Sequence, residues 1–529
     1  MIVLKWIYFV IFIKSKLFAY VICICLSIVL VYLLGYTQRF DRILLTYLSL
    51  IFLARFTLFR FFFGSIFVIA SLYFPVGFYY GSPNVAVISA VSETDFDEVL
   101  EFFNQLPIYL YFIPIALVIL FIYIFYKVKF PTINNKYFII LFLLLCCYKP
   151  VKIFFKSHTT SITTILIHNF KYPPFEFCID LYSSYKLYTT EKQEQLKQIE
   201  KTNTIPIVSV NPKYKTYVII IGESVRKDYM SAYGFKYNNT PFTNDHASLI
   251  WDGLIAPASN TQSSIPHLIS QSSYSDNKEV NAQINNNIIT IANDAGFDTY
   301  WLSNQGRLGR MEITVPRITA YSKNIFYTKK GEYNGKSSRG KYDTLLLPEL
   351  DNLLTEKHDK PKLIVMHLIG SHPHFCKRLQ FDVQFDLNNK NISCYVSSIK
   401  ETDDFIKSTI EILKRHNEDY SVVYFADHGL SHTEQYQDLR HNWEYQNSYQ
   451  VPLIFFDSTE NNHVKINKQI SGYQFVYLLS HWMGIKLNIQ HDYMQYNLMD
   501  IPEQKNIKIK DWNNKLFPFN DLKKDPNPY

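Results

Sequence analysis

The sequence predicts a helical membrane domain of several spans followed by a layered α/β domain, its sheet mainly parallel with helices on both faces. Three observations predict this. Residues 1–150 are dominated by Leu, Ile, Phe, Val and Tyr, whereas 190–529 have the mixed polar composition of a water-soluble domain. From Thr216 onward, short β-branched runs alternate with helical patterns, the signature of a layered α/β sheet. Several of those runs then stop at residues able to bind metals or anions. The sharpest is Ser421–Gly429, a buried-type strand that delivers Asp427 and His428 side by side. The expected boundaries are 1–150 for about five membrane helices, 151–212 for an interfacial helix and linker, and 213–529 for the soluble domain.

Taken in order, residues 2–13 are apolar but short, and Lys14 and Lys16 close them without a small-residue cleavage site, which argues against a removable signal peptide. Leu17–Tyr36 is long enough to cross a bilayer of roughly 30 Å. Further spans are expected from Ile43 to about Arg60, over Phe61–Tyr80, over Pro107–Tyr126 and over Tyr137–Tyr148. The last is short, and would need Lys136 and Lys149 to snorkel. Lys5, Lys14, Lys16, Arg55, Arg60, Lys127, Lys129 and Lys136 all fall on one side of such an arrangement, whereas Glu93, Asp95, Asp97, Glu98 and Glu101 fall on the other. The positive-inside rule then places the N-terminus in the cytoplasm and everything after residue 150 outside, with Arg39 and Arg42 as exceptions. Ile162–Phe170 followed by Lys171-Tyr-Pro-Pro174 reads as an interfacial segment, and Tyr188–Lys201 as a polar helix.

In the soluble part, strands are predicted at 217–221, 298–302, 362–368, 421–426 and 451–456, and helices at 265–271, 285–295 and 401–414. The formal charge of +7 is modest for 529 residues and forms no polybasic block, so nothing points to nucleic acid. Attraction to an anionic lipid surface is the weaker reading that this charge allows. Of the seven cysteines, Cys376 and Cys394 flank one loop-like stretch, and a disulfide between them is expected if that part faces an oxidising compartment.

Three strand ends carry the chemistry: Gly222-Glu223-Ser224, the run from Gly370 through His372 to His374, and Asp427-His428. Strand ends in a parallel sheet gather on one edge, where ligands of open α/β sheets bind. Glu223, His372, Asp427 and His428 are therefore expected to converge, with His441 reaching back from a loop. Carboxylate and imidazole ligands suit zinc, which takes four such donors. Between Pro257 and Pro266 lie Ser259, Thr261, Ser263 and Ser264. A hydroxyl at a helix N-terminus sits in a positive potential that favours an attacking alkoxide and an incoming phosphate. The residues alone leave all four open, with simple N-capping as the bland alternative.

The order of these segments resembles the bacterial phosphoethanolamine transferases of the sulfatase and alkaline-phosphatase superfamily. The resemblance runs through Ile221-Gly-Glu-Ser-Val-Arg-Lys-Asp228, Tyr233-Gly-Phe235, Asn239-Thr-Pro241, Tyr300-Trp-Leu-Ser-Asn-Gln305 and His367-Leu-Ile-Gly-Ser-His372. It implies a sulfatase-like catalytic domain held in the periplasm by a multi-pass inner-membrane domain. It implies that Thr261, five residues before Pro266, is the nucleophile, and that Glu223, Asp427, His428 and the Thr261 oxygen hold one tight zinc. His372 and His441 would bind phosphoryl oxygens, a second metal or the leaving group, and Asn304, Arg307 and Arg310 are candidate phosphate donors. The implied donor is phosphatidylethanolamine, and the implied acceptor is a lipid A phosphate or core sugar of lipopolysaccharide; a monomer is expected. Relatives staple the nucleophile loop with a disulfide where this chain has Pro257 and His267, and follow the last histidine with Gly where this chain has Asn442. A phosphoglycerol transferase of the same superfamily, and a membrane scaffold without activity, are the competing readings.

Overall fold

The computed structural model describes residues 16–54, 56–84, 87–88, 109–128, 130, 140, 142–145, 172–275, 279–307, 314–329, 341–356, 359–433, 436, 438–459, 463–511 and 515–529. The chain forms two compact units, Met1–Thr190 and Glu191–Tyr529. The apolar residues 2–13, most of the fifth expected span and the run 162–170 lie outside the described residues.

The first unit is helical: α1 (Lys16–Leu33), α2 (Phe40–Leu53), α3 (Thr57–Tyr80), α4 (Tyr109–Lys127) and the start of α5 (Pro173–Ile199). Helices α1, α3 and α4 overlie the first, third and fourth expected spans, whereas α2 ends at Leu53 and the Thr57–Arg60 end of the second expected span belongs to α3. By length and composition, one stretch among the described residues, Thr57–Phe78, is sufficient to cross a membrane; Phe18–Leu33 and Phe112–Lys127 are shorter apolar helices. Polar contacts tie the helix ends into two layers. In one, Arg42 forms a two-pronged ion pair with Glu176 (Nη2–Oε1 2.6 Å, Nε–Oε2 3.1 Å) and Tyr36 donates to Asp180 at 2.8 Å. Gly35 and Gly81 meet in the same layer, so closely that a Cβ on Gly35 would lie 2.3 Å from the Gly81 carbonyl carbon. In the other, the Arg60 guanidinium donates to the Val128 carbonyl and covers the Phe130 ring at 5.4 Å. Arg39 pairs with Asp41. The two cations that offend the positive-inside pattern are thus both neutralised locally.

The second unit is built on eight strands: β1 (Thr216–Gly222), β2 (Leu249–Trp251), β3 (Asp298–Gly306), β4 (Asn324–Lys329), β5 (Lys362–His367), β6 (Tyr420–Ala426), β7 (Leu453–Asp457) and β8 (Val464–Ile466). Their order across the sheet is β8-β2-β7-β6-β1-β5-β3-β4. Most neighbouring strands pair in parallel, as expected, but β7 runs antiparallel to both β6 and β2, so the sheet is mixed. Strands β1, β5 and β6 are buried at every position, which requires cover on both faces. The predicted 401–414 helix extends to α7 (Lys390–Arg415), capped by Asn389. Ahead of Pro212, Ile207–Val210 pairs antiparallel with Ile485–Leu487 and belongs to this unit. The expected disulfide joins Cys376 to Cys394 at the start of α7.

Removing one partner of a buried ion pair strands the other, whereas apolar residues at both positions leave no charge behind. Arg42→Ala is expected to cost about 3–5 kcal/mol in the first unit, and Arg42→Leu with Glu176→Leu much less. Thermal unfolding of the purified variants in detergent checks this ranking.

Candidate active site and metal centre

Parallel pairing of β1 with β6 sets Gly222 opposite Ala426, so the next residues of both strands, Glu223 and Asp427-His428, emerge together. All three are fully or almost fully buried, and one ligand atom from each lies within 4.8 Å of the others. His428 Nε2 stands 3.4 Å from Glu223 Oε1 and 3.5 Å from Asp427 Oδ2. Its Nδ1 lies 2.8 Å from the Gly429 carbonyl, an acceptor that fixes a proton there and turns Nε2 toward the carboxylates.

Ser224 orders both carboxylates. With φ +61°, it sits in the left-handed region, which aims its N–H at Asp427 Oδ1 (3.1 Å) while its hydroxyl donates to Glu223 Oε1 (2.6 Å). Tyr395 of α7 holds that turn, its hydroxyl donating to the Ser224 carbonyl and accepting from the Arg226 N–H, each at 2.9 Å. Gln305, at the end of β3, donates to Glu223 Oε2 at 3.2 Å and to the Leu368 carbonyl at 2.8 Å. Asp427 Oδ2 is buried with no hydrogen-bond partner among the described residues.

The hydroxyl-rich segment between Pro257 and Pro266 differs from its expected form. Its helix, α6 (Thr261–Ile269), starts four residues before Ile265, because Asn260 caps it by accepting from the Ser263 N–H at 3.0 Å. Thr261 therefore opens the helix. Its hydroxyl donates to Glu223 Oε2 at 2.9 Å and lies 3.3 Å from His428 Nε2. Ser264 is turned away, donating to the Asp427 carbonyl at 2.5 Å, and Ser259 is buried. His441 packs its ring 4.9 Å from that of His428 and 6.3 Å from that of His372. The segment that no cysteine staples is held by Lys510, which contacts both Pro257 and His267.

Charges in this cluster are strongly coupled. Burial raises the Glu223 carboxyl, but hydrogen bonding and attraction to His428 outweigh it, and the net displacement is downward. Burial and then the Glu223 charge push Asp427 up to about 7. Burial disfavours the His428 cation, yet Asp427 and Glu223 hold it up at about 9. Burial, then the nearby His428, pushes His441 down to about 4. Two buried carboxylates and one imidazole, with one carboxylate oxygen unpartnered, form a donor set that fits a divalent cation such as zinc.

The sulfatase family profile matches residues 215–485. The phosphoethanolamine transferase OpgE of Escherichia coli (strain K12) is 31% identical over 436 residues, covering 81% of this chain and 81% of its own. The chain belongs to the phosphoethanolamine transferases of the sulfatase family. The Kdo(2)-lipid A phosphoethanolamine 7''-transferase of Salmonella typhimurium (strain LT2) is 24% identical over 259 residues, 46% of this chain and 44% of the relative. Among solved structures, the periplasmic domain of EptC from Escherichia coli in complex with Zn shares the fold, with a TM-score of 0.51 at 20% identity. It covers 62% of this chain and 97% of its own.

In this transferase fold not every expected residue reaches the cluster. Asn304 is buried, and its side chain is occupied by Asp343 (2.8 Å), Thr328 (2.5 Å) and the Lys341 carbonyl (3.2 Å). It braces the loop at Ile369 and Gly370, whose N–H groups Asp343 accepts, rather than offering a donor to phosphate. Arg307 is half-buried just past β3, and Arg310 lies outside the described residues. Ser224, Gln305 and Tyr395 are actors that the sequence does not single out. The first two stand inside the motifs that carry the family resemblance, whereas Tyr395 carries no local signal.

A divalent cation must displace the protons that Asp427 and His428 hold below about 7 and about 9. Zinc affinity is therefore expected to rise steadily from pH 6 to pH 8, as read by competition with a fluorescent chelator. A flat profile would contradict the proton assignment.

Proposed function

We propose that the chain transfers phosphoethanolamine from phosphatidylethanolamine to a lipopolysaccharide acceptor, a lipid A phosphate or core sugar, through a covalent intermediate on Thr261. The observation that carries this reading is the Thr261 hydroxyl, set at the first position of α6 and hydrogen-bonded into the Glu223, Asp427 and His428 cluster. Those three residues and the Thr261 oxygen would hold zinc. When bound, zinc lowers the pKa of a coordinated hydroxyl and neutralises charge on phosphoryl oxygens.

In the first half-reaction, Thr261 Oγ1 forms a bond to phosphorus and the bond from phosphorus to the diacylglycerol oxygen breaks. The threonine proton ends on the released diacylglycerol. In the second, an acceptor oxygen takes the phosphoryl group, and its proton returns to Thr261. The N–H groups of Thr261 and Gln262 have no acceptor within their helix, so they suit phosphoryl oxygens. His441 is neutral at pH 7, and its Nδ1 lies 3.3 Å from the Ser259 carbonyl. That contact leaves Nε2 as a proton acceptor, which favours a role beside the attacking or leaving oxygen over a second phosphate donor. His372, 6.3 Å from His441 between ring centres, lines the same side.

The helix-end contacts of the first unit support a multi-pass inner-membrane domain of residues 1–150 with the catalytic domain in the periplasm. Residues 36–42 share a layer with 176–180, and residue 60 shares the opposite one with 128–130. Among the described residues, α1 thus ends in the first layer, α2 descends from it, α3 returns to it and α4 descends again, an up-and-down packing that suits several passes through a bilayer. Both proposed substrates are lipids, which accounts for an anchored enzyme.

The inactive-scaffold reading predicts gaps among the ligands, and the buried triad has none. Peptide mass spectrometry of full-length protein from membranes containing phosphatidylethanolamine is expected to find phosphoethanolamine on Thr261, and none in Thr261→Ala. A phosphoglycerol adduct would favour the rival transferase. Glu223→Gln and Asp427→Asn are each expected to lower turnover at least about 100-fold, together with bound zinc, because each removes a charged ligand.

A further inference from the structure

Between Pro257 and His267 the chain carries Asn260, which caps α6, and Thr261, which opens it. Neither strand end of the metal cluster is covalently close to this segment, so its position depends on what grips its two ends. Lys510 grips both. The backbone N–H of Lys510 donates to the Pro257 carbonyl at 2.7 Å, and Ala258 and Lys510 form an isolated parallel bridge. The Lys510 ammonium, on a side chain buried to 9% exposure, lies 3.3 Å from His267 Nε2 at the far end.

The chemistry of that contact is self-consistent. His267 is 2% exposed, and burial followed by the Lys510 charge lowers its pKa to about 3, so the ring is neutral. Its Nδ1 lies 2.9 Å from the Ser272 hydroxyl and can donate there, leaving the Nε2 lone pair for the ammonium. A charge-assisted hydrogen bond in a buried place is stronger than a neutral one. Tyr473 closes the arrangement, its ring 5.2 Å from that of His267 and its hydroxyl 3.4 Å from the Pro257 carbonyl. Gly472 is what lets that neighbour approach, since a Cβ there would lie 2.6 Å from Pro257 Cδ.

We propose that Lys510 is a positioning residue for the reaction: by joining Pro257 to His267 it fixes the register of Thr261 against the metal cluster. The proposal rests on the reading of Thr261 as nucleophile. Glu223, Asp427 and His428 stand at the ends of β1 and β6, outside the clamp, so losing the clamp should displace Thr261, with its oxygen, and leave the three strand-end ligands in place.

The test uses full-length protein in phosphatidylethanolamine vesicles, with Lys510→Met, His267→Leu, their combination, and His267→Gln, which keeps an acceptor. Misplacing a reacting group by about 1 Å costs on the order of 100-fold in rate. Each of the first two variants is expected to slow Thr261 adduct formation about 10- to 100-fold with donor KM unchanged and zinc, supplied in excess, still bound by the three strand-end ligands. The combination should be no slower than either alone, because both remove one interaction, and His267→Gln should recover most of the rate. Full activity in Lys510→Met, additive losses, or failure of the variants to bind zinc even when it is supplied in excess would overturn the proposal. Amide hydrogen exchange across 258–265 reads the clamp without activity: at least about 10-fold faster exchange is expected in Lys510→Met. Unchanged exchange would reject the clamp, whereas faster exchange with no wild-type adduct would reject only the nucleophile reading.

Discussion

Two carboxylates, Glu223 and Asp427, are buried side by side at the ends of neighbouring strands, and much of the catalytic unit is arranged to make that tolerable. Like charges so placed repel, and burial withdraws the water that would screen them. The unit answers with donors. Ser224 serves both carboxylates from a left-handed turn, Gln305 serves Glu223, and the His428 ring lies between them. What remains is Asp427 Oδ2, buried with no hydrogen-bond partner among the described residues, where a bound cation would be stabilised. The same crowding of carboxylates that is costly for folding would then favour a metal.

The proposed nucleophile reaches that centre from a separate element. Thr261 belongs to a helix N-terminus, and its alignment depends on Asn260 within the segment and on Lys510 from the C-terminal part of the chain. In the proposed mechanism, this separation would let the sheet set the metal geometry while a short helix, with its unpaired N–H groups, meets the phosphoryl oxygens. The first unit follows a similar logic. Its arginines at 39 and 42 would violate the charge asymmetry expected of membrane loops, but pairing Arg42 with Glu176 and Arg39 with Asp41 removes the conflict.

Much of the catalytic unit is legible in the amino-acid sequence. Buried strands at 217–221, 362–368 and 421–426 are readable because strands covered on both faces are continuous apolar runs, and their polar ends name Glu223, Asp427 and His428. Other features are not legible. The reversal of β7 leaves no local mark, since a buried strand reads alike in either direction. The start of α6 is hidden because Thr261, Ser263 and Ser264 are weak helix formers, and only the Asn260 cap reveals that the helix already includes them. Asn304 reads as a phosphate donor from its motif, but its hydrogen bonds run to Asp343 and Thr328, residues far along the chain.

The sequence by itself determined which residue types could do chemistry and on which strands they stand, because hydrophobic periodicity and polar strand ends are local properties. Only the tertiary structure decided which hydroxyl meets the carboxylates, which asparagine is structural, and what holds the nucleophile segment. Those outcomes depend on contacts between residues as distant as Lys510 and His267, whose geometry is set by packing and the exclusion of water, and no spacing in the sequence encodes it.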